Sequence, residues 1–421
     1  MKKFITMITK GKRLELVFYI ILVLVLLFFF SFSELVDITT FSTVVIASAV
    51  SFLVGILGKW LYNKVEDSVK LTENYKSLVD KYNMVEKIKY ENHKGVAVFP
   101  VAKVADLYDC PIVVSDEPDN AYEPESIITN HYSEILASHK TSEVYNNYGI
   151  RINDWYFNED GSFEICTGRT TYFHSLVTNR AMDFVFDNKL TIREVYECGP
   201  FLTPLKCSQL SNHLGFNGFV ESSDGYVAFV KRGKNVSVGK STVGPSVSAS
   251  MKVKYALDSN MVLSADGLYN GMICEIRDEL NVSAESVLCI DGSRVKVICA
   301  YRDLVEGGKP QLLFYAKSSK TKRQIENDFI YKKIHNNLSL RNVDLANTEY
   351  EEYKFKSKAE LRMIQDGDHL LWIHVSELLN ADTEIYPEQM IVSGSKYKML
   401  PTISACVVMF VNWLKNNDGR F

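Results

Sequence analysis

Two long apolar stretches dominate the hydrophobic pattern at the start of the chain. Residues 16–32 contain no charged side chain, and residues 41–61 contain only Lys59. A membrane-spanning helix needs about 20 apolar residues, with a range of roughly 17–25. The pattern therefore predicts a two-helix transmembrane hairpin over residues 1–64.

The charges around these stretches predict how the hairpin is oriented. The connection between the stretches carries Glu34 and Asp37 but no Lys or Arg, so the basic residues of 1–64 lie on the two outer flanks. Basic residues concentrate on the cytoplasmic side of a membrane. We therefore expect a multi-pass inner-membrane protein with both termini in the cytoplasm and the lipid bilayer as a partner.

A stripe of small residues recurs every four positions along the second stretch. Its members are Thr43, Ala47, Ser51 and Gly55. Such a stripe lets helix backbones approach closely in lipid. It can pack against the first helix of the same chain or join several chains into a homo-oligomer, and both interpretations remain open.

The pattern changes to a helical stalk and then to an α+β body. Apolar residues at alternating steps of four and three predict a helical stalk over residues 65–92, either a short coiled coil or a helix lying on the body of its own chain. Mixed helix and strand signals predict an α+β extension over residues 93–204, with a polar loop around residues 115–125.

Residues 205–421 predict a second globular region of strands and helices. Asp224-Gly225 is a strong hairpin signal between two β-rich arms. The pattern further predicts a helix over 266–280, strands over 294–300, 311–316 and 370–375, and a buried helix over 402–414, since its 13 apolar residues are too few to span a membrane.

Cysteine spacing and charge exclude two classes of function. The eight cysteines include no C-x-x-C pair, which argues against zinc and favours reduced thiols. The formal net charge is −4, and a mildly acidic body argues against direct binding of DNA or RNA.

Three carboxylates mark a candidate metal site on the predicted helix. Glu275, Asp278 and Glu279 stand at i, i+3 and i+4, which places them on one helical face. Oxygen ligands in such a cluster suit Mg²⁺ or Mn²⁺, although a solvated acidic face is the common alternative. No other cofactor is expected.

Basic residues gather where the hairpin ends. Lys231, Arg232 and Lys240 could hold nucleotide phosphates through charge-assisted hydrogen bonds. A solvated basic rim is the alternative interpretation.

The carboxylate segment resembles the Nudix box, whose helix runs R-E-U-x-E-E-x-G-U with U aliphatic. Residues 274–282 read CEIRDELNV and match that pattern at all three carboxylates and at both aliphatic positions, Ile276 and Val282. The resemblance implies a Nudix-like α/β/α sandwich over residues 205–421. Cys274 stands where the family has Arg, and Asn281 and Asn260 stand where it has Gly. These departures favour a binding domain over a hydrolase.

The order of segments resembles the transmembrane–Nudix effectors of bacterial cyclic-oligonucleotide-based antiphage signalling (CBASS). This resemblance implies a membrane-anchored α/β protein that binds a cyclic nucleotide made by a partner nucleotidyltransferase, disrupts the membrane and causes abortive infection. The alternative is a membrane-tethered Nudix hydrolase that cleaves a nucleoside diphosphate derivative with Mg²⁺.

Overall fold

The computed structural model of the protein describes most of the chain after residue 70. Its described residues are 51, 55, 71–139, 146–233, 242–290, 292–335 and 368–417. The strands in these ranges are β1 Lys89–Asn92, β2 Gly95–Val98, β3 Val101–Asp106, β4 Ile112–Ala121, β5 Tyr148–Phe157, β6 Phe163–Thr171, β7 Gly215–Glu221, β8 Tyr226–Lys231, β9 Val243–Gly244, β10 Val247–Ser250, β11 Lys296–Asp303, β12 Lys309–Lys317, β13 His369–His374, β14 Glu384–Tyr386, β15 Gln389–Val392 and β16 Ser395–Lys398. The α-helices are Tyr75–Lys81, Ser126–Ser138, Tyr172–Val177, Ile192–Tyr196, Val253–Ala256, Ala265–Leu280, Lys322–His335, Val375–Leu378 and Pro401–Asn416.

The predicted membrane-anchored fold class is corrected. Within the described ranges, no helix is both long and apolar enough to cross a membrane. The helices Ala265–Leu280 and Pro401–Asn416 have 16 residues each, about 24 Å at roughly 1.5 Å per residue, whereas the hydrocarbon core is about 30 Å thick. The predicted spans, 16–32 and 41–61, lie outside the described residues except for Ser51 and Gly55. The fold class is therefore a mixed α/β protein with several sheets, and the predicted multi-pass inner-membrane localisation is likewise unsupported.

The main sheet has the strand order β13-β8-β7-β12-β11-β3, with β9 and β10 paired to β8 and β7. β7 and β12 run parallel, and the other neighbours are antiparallel. The predicted β7–β8 hairpin is confirmed. Gly225 has φ +80° in its turn, a left-handed conformation that favours glycine.

One face of the main sheet is covered by the helix Ala265–Leu280, here called the carboxylate helix. It begins after Ser264, whose side chain accepts a hydrogen bond from the Gly267 N–H. Apolar residues every four positions pack against the sheet residues Phe216, Ala300 and Phe314; they are Leu268, Met272, Ile276 and Leu280. The predicted helix over 266–280 is confirmed, and its apolar residues form the face that packs on the sheet.

The opposite face is covered by the helix Pro401–Asn416, here called the C-terminal helix. It packs between the main sheet and the small sheet β14-β15-β16. Contact on both sides explains why the helix is apolar around most of its circumference. Phe410 stacks on Phe219 of the sheet, with ring centroids 4.5 Å apart. The predicted buried helix over 402–414 is confirmed.

A second, three-stranded sheet has the order β4-β6-β5. The predicted loop around residues 115–125 is wrong, since β4 continues to Ala121. β4 pairs with β6 along one side only, and an ion pair from Arg169 to Asp116 at 2.6 Å joins the two strands. β4 is an edge strand with many polar residues, and in the sequence such a segment resembles a loop.

The described part of the predicted stalk lies on the body of the chain. Its helix spans Tyr75–Lys81, and the later part of the stalk forms β1. Leu78 and Tyr82 are buried against Ala102 and Leu304. The arrangement is that of a helix packed on its own chain, the second of the two interpretations that the pattern left open.

Several strand ends meet at one edge of the main sheet. Lys231 at the end of β8 pairs with His369 at the start of β13. Gly215 at the start of β7 pairs with Ser250 at the end of β10 and with Gln311 near the start of β12. We call this edge the polar edge.

Close packing between β7 and β12 generates a test of the fold. Gly218 lies directly opposite Phe314 in the parallel pair, and a Cβ atom at Gly218 would collide with the Phe314 ring. We expect Gly218→Ala to lower the free energy of unfolding by about 1–3 kcal/mol through overpacking. The matched control is Gly244→Ala, whose Cβ would meet its neighbours at ordinary contact distance, 3.7 Å or more. Denaturant unfolding of both variants measures the difference, and equal stability of the two would contradict this packing.

Candidate functional site

The three predicted carboxylates lie together on the last turns of the carboxylate helix. Glu275 is completely buried, whereas Asp278 and Glu279 are half-buried. Glu275, as the most buried side chain of the three, therefore needs a partner inside the protein to offset the cost of removing a charge from water.

Lys252 supplies that partner. It follows β10, and its Nζ lies 2.9 Å from Glu275 Oε2 and 3.3 Å from Asp278 Oδ2. Tyr255, three residues further on, donates a hydrogen bond of 2.6 Å from its hydroxyl to Asp278 Oδ2. The ammonium group thus bridges two carboxylates of the predicted metal site.

Burial and these contacts shift the pKa values in different directions. Burial raises the pKa of Glu275, and Lys252 opposes this shift. Burial also acts to raise the pKa of Asp278, but the hydrogen bond from Tyr255 and the charge of Lys252 bring it below its ordinary value. The pKa of Lys252 is raised, since its contacts with Glu275 outweigh the effect of burial. The bridge therefore favours a charged lysine.

The arrangement is chemically different from a metal site. In the part of the chain that the structure describes, no group of three His, Cys, Asp or Glu side chains could hold a metal ion. A divalent cation would have to bind beside the Lys252 ammonium, against charge repulsion at a distance of a few ångströms. Glu275 and Asp278 thus share Lys252 as an internal counter-ion, and Glu275 Oε1 has no hydrogen-bond partner.

Glu279 lies apart from this bridge, among other cations. Burial raises its pKa, and the charges of Lys333, Lys252, Lys332 and Arg232 oppose that shift. Lys332 donates hydrogen bonds to the backbone carbonyls of Arg277 and Asp278, at 2.8 and 2.7 Å. It therefore satisfies carbonyl groups at the end of the helix, where a positive charge is also favourable.

Arg232, one of the three predicted phosphate-binding residues, lies near this site. It follows β8 and is half-buried. Burial lowers its pKa, Asp368 opposes the shift, and Arg180 adds a further like charge that lowers it. Asp368 itself lies 3.6 Å from Lys333 and accepts a hydrogen bond of 2.8 Å from the Gly233 N–H.

The other predicted phosphate-binding residues have different positions. Lys231 is exposed at the end of β8, and adjacent residues of a strand point to opposite sides. Lys240 lies outside the described residues. The structure therefore places Arg232 close enough to Glu279 for their charges to interact, whereas Lys231 has no described contact with the carboxylates.

Two departures from the Nudix box have a local physical basis. Asn281 caps the carboxylate helix with φ 61°, a left-handed conformation that Gly and Asn adopt most readily. Its side chain also donates a 2.9 Å hydrogen bond to the Asp328 carbonyl. Cys274 is half-buried, and burial raises the pKa of its thiol.

The sequence did not reveal Lys252 or Tyr255 as members of the site. Lys252 is 23 residues from Glu275 along the chain, and no helical or strand period relates the two. The available signal was weak: an isolated KVKY segment, beginning at Lys252, just before the carboxylate helix.

Comparisons with known proteins leave the family open. No protein-family model matches the chain, and no curated protein matches it. Among solved structures it is similar to DR0079 from Deinococcus radiodurans, with 15% identity, 26% of this chain and 57% of that chain covered, and a TM-score of 0.19. The chain thus spans little more than half of that protein's length, and a TM-score this low supports no argument about fold or activity.

The Lys252 bridge predicts a pH-dependent loss of stability. Replacing Lys252 with Met leaves the buried Glu275 carboxylate without its counter-ion. Breaking a fully buried pair costs about 3–5 kcal/mol. We expect about 2–3 kcal/mol here, because the Lys252 side chain is 41% exposed.

The sign of the pH effect follows from the raised pKa of Glu275. A carboxyl whose pKa is higher in the folded chain than in the unfolded chain favours folding at low pH, and that contribution is lost as pH rises. Lys252→Met raises this pKa further, so its deficit should shrink between about pH 8 and about pH 5. Lys252→Met/Glu275→Gln should recover stability at about pH 8. A pH-independent deficit, measured by urea unfolding, would contradict the bridge.

Proposed function

We propose that the chain is the cyclic-nucleotide receptor of a CBASS antiphage system, and that it binds its ligand without hydrolysing it. A partner nucleotidyltransferase would make the ligand during infection. The proposal concerns the recognition step, in which the ligand binds one state of the protein better than another and so shifts the population.

The bridge made by Lys252 is the observation that carries the proposal. Hydrolysis of a phosphate ester by a carboxylate site relies on a metal ion that polarises oxygen or activates water. Lys252 is a shared counter-ion of Glu275 and Asp278, and Arg277 adds a second positive charge 3.5 Å from Asp278, whereas Glu275 Oε1 has no hydrogen-bond partner. The carboxylates are therefore used to fix the end of β10 against the carboxylate helix, which favours a binding domain.

Arg232 is the group proposed to contact the ligand phosphate. Its guanidinium can donate two parallel hydrogen bonds to one phosphate. Burial lowers the pKa of Arg232, Asp368 opposes this shift, and the like charge of Arg180 adds to it, so a ligand phosphate would act with Asp368 in offsetting the repulsion between the two arginines. Lys333 adds positive charge near Glu279.

The order of elements indicates the chemical class of the proposed ligand. A hairpin that ends in Arg232 and a carboxylate helix that resembles the Nudix box are features of a family of nucleotide-handling domains. The loss of that family's Arg at Cys274 agrees with binding in place of cleavage. The resemblance to transmembrane–Nudix effectors supplies the cyclic nucleotide as the ligand.

The test measures binding and cleavage in the same samples. Isothermal titration calorimetry of the full-length chain, in EDTA, should find one ligand within a panel of cyclic di- and trinucleotides, and chromatography should recover that ligand intact. Arg232→Met should weaken binding about tenfold or more, as expected for a lost hydrogen bond to a charged group. The matched control is Arg294→Met, since Arg294 is exposed.

Two outcomes would reject the proposal. One is the absence of binding by every member of the panel. The other is Mg²⁺-dependent cleavage of a nucleoside diphosphate derivative that Glu279→Gln abolishes, which would favour the hydrolase alternative.

A further inference from the structure

A cavity of about 640 Å³ lies beside the end of the C-terminal helix. Its walls include the segment just before β1, the edge strand β3 and the last turns of the C-terminal helix. Small-molecule sites typically have volumes of about 300–1,000 Å³. We call it the helix-end cavity. Its lining includes three acidic residues, Glu86, Asp106 and Asp109, but none of the carboxylates of the carboxylate helix.

An aromatic wall forms one side of the helix-end cavity. Tyr108 is half-exposed, and it packs against Trp413 in a T-shaped pair with ring centroids 5.6 Å apart. Trp413 in turn contacts Phe410 and Tyr315, at centroid distances of 6.0 and 4.9 Å. Tyr108 is therefore an aromatic surface held in place by rings that continue into the core.

Two lysines supply positive charge to the helix-end cavity. Lys87 and Lys89 both line the cavity. Burial lowers the pKa of Lys87, and the like charge of Lys89 lowers it further. Lys103, which also lines the cavity, is instead paired with Asp106 at 2.8 Å. Lys87 Nζ also donates a hydrogen bond of 2.8 Å to the Val85 carbonyl. An anionic group beside Lys87 and Lys89 would reduce the repulsion between them, against the opposing charge of the acidic residues in the lining.

The C-terminal helix adds polar groups between these features. Asn412 and Asn416 stand four residues apart on one helical face and both line the cavity. Each amide has donors and an acceptor, which can pair with the polar edge of a heteroaromatic ring. Lys89 and Asn412 also line a neighbouring cavity of about 480 Å³, so the two groups lie where the cavities adjoin.

We propose that the helix-end cavity is a nucleotide-binding site, separate from the polar edge and independent of the function proposed above. The base packs on Tyr108, its polar edge meets Asn412 and Asn416, and the phosphate lies beside Lys87 and Lys89. A flat ring, an anion and hydrogen-bonding edges in one small molecule match these three features together.

The test uses AMP, GMP, CMP and UMP as probes against the full-length chain, with calorimetry as the readout. We expect at least one of them to bind at millimolar concentration or below. Lys87→Met/Lys89→Met should weaken that binding about tenfold or more. Tyr108→Leu should weaken it by about tenfold, in line with the loss of one base–aromatic contact.

Separate arms assign the contributions of phosphate and base. The corresponding nucleoside should bind more weakly than the nucleotide, lose affinity in Tyr108→Leu and be unaffected by the double lysine change. Lys396→Met, at an exposed lysine of β16, is the matched control and should bind like the unaltered chain. Arg232→Met should also bind normally, which separates this site from the polar edge.

Three results would overturn the proposal. They are no binding of any of the four nucleotides, binding that is insensitive to both the lysine and the Tyr108 changes, and binding that is lost only in Arg232→Met. Thermal unfolding of each variant, compared with the unaltered chain, ensures that a lost signal reflects the cavity and not a misfolded protein.

Discussion

The ammonium group of Lys252, held between Glu275 and Asp278, is the constraint on which the rest of the site depends. Glu275 is buried at the contact between the carboxylate helix and the main sheet, where an unpaired charge would be costly. Lys252 lies directly after β10, so the ion pair ties a strand of the sheet to the helix that covers it. The same contact that stabilises the layer also places one positive charge between two of the carboxylates of the predicted metal site. Lys252 therefore affects both the packing of the carboxylate helix on the sheet and the charge available to a metal ion.

The segment that resembles the Nudix box is held in place by packing and by its cap. The apolar positions of the carboxylate helix keep it on the sheet, and the left-handed cap at Asn281 ends it. Neither feature requires a metal. Arg232 and Lys333 lie near a half-buried Glu279, and Arg232 is the residue that the proposed function assigns to the ligand phosphate. The helix-end cavity lies elsewhere, against the C-terminal helix, and has its own combination of aromatic, basic and amide groups.

Local patterns in the sequence predicted much of the body and little of the site. The Asp224-Gly225 turn and the period of the carboxylate helix were correctly predicted, because hairpin turns and amphipathic helices are encoded by neighbouring residues. The later part of β4, from residue 115, was predicted to be a loop, since polar residues on an edge strand lack a buried alternation. The membrane-anchored fold class relied on residues 1–64 and is corrected by the described helices, which are too short or too polar to span a membrane. Lys252 could not be found from spacing, because its contact with Glu275 exists only once β10 and the helix have packed.

The most direct test of the central claim is a Mn²⁺ titration followed by electron paramagnetic resonance, comparing the full-length chain with Lys252→Ala. If Lys252 acts as the counter-ion, the unaltered chain should leave Mn²⁺ free in solution. Lys252→Ala should bind Mn²⁺, and the double variant Lys252→Ala/Glu275→Gln should not. Binding of Mn²⁺ by the unaltered chain, lost in Glu275→Gln, would contradict the account, because the carboxylates would then prefer an external metal ion to the lysine.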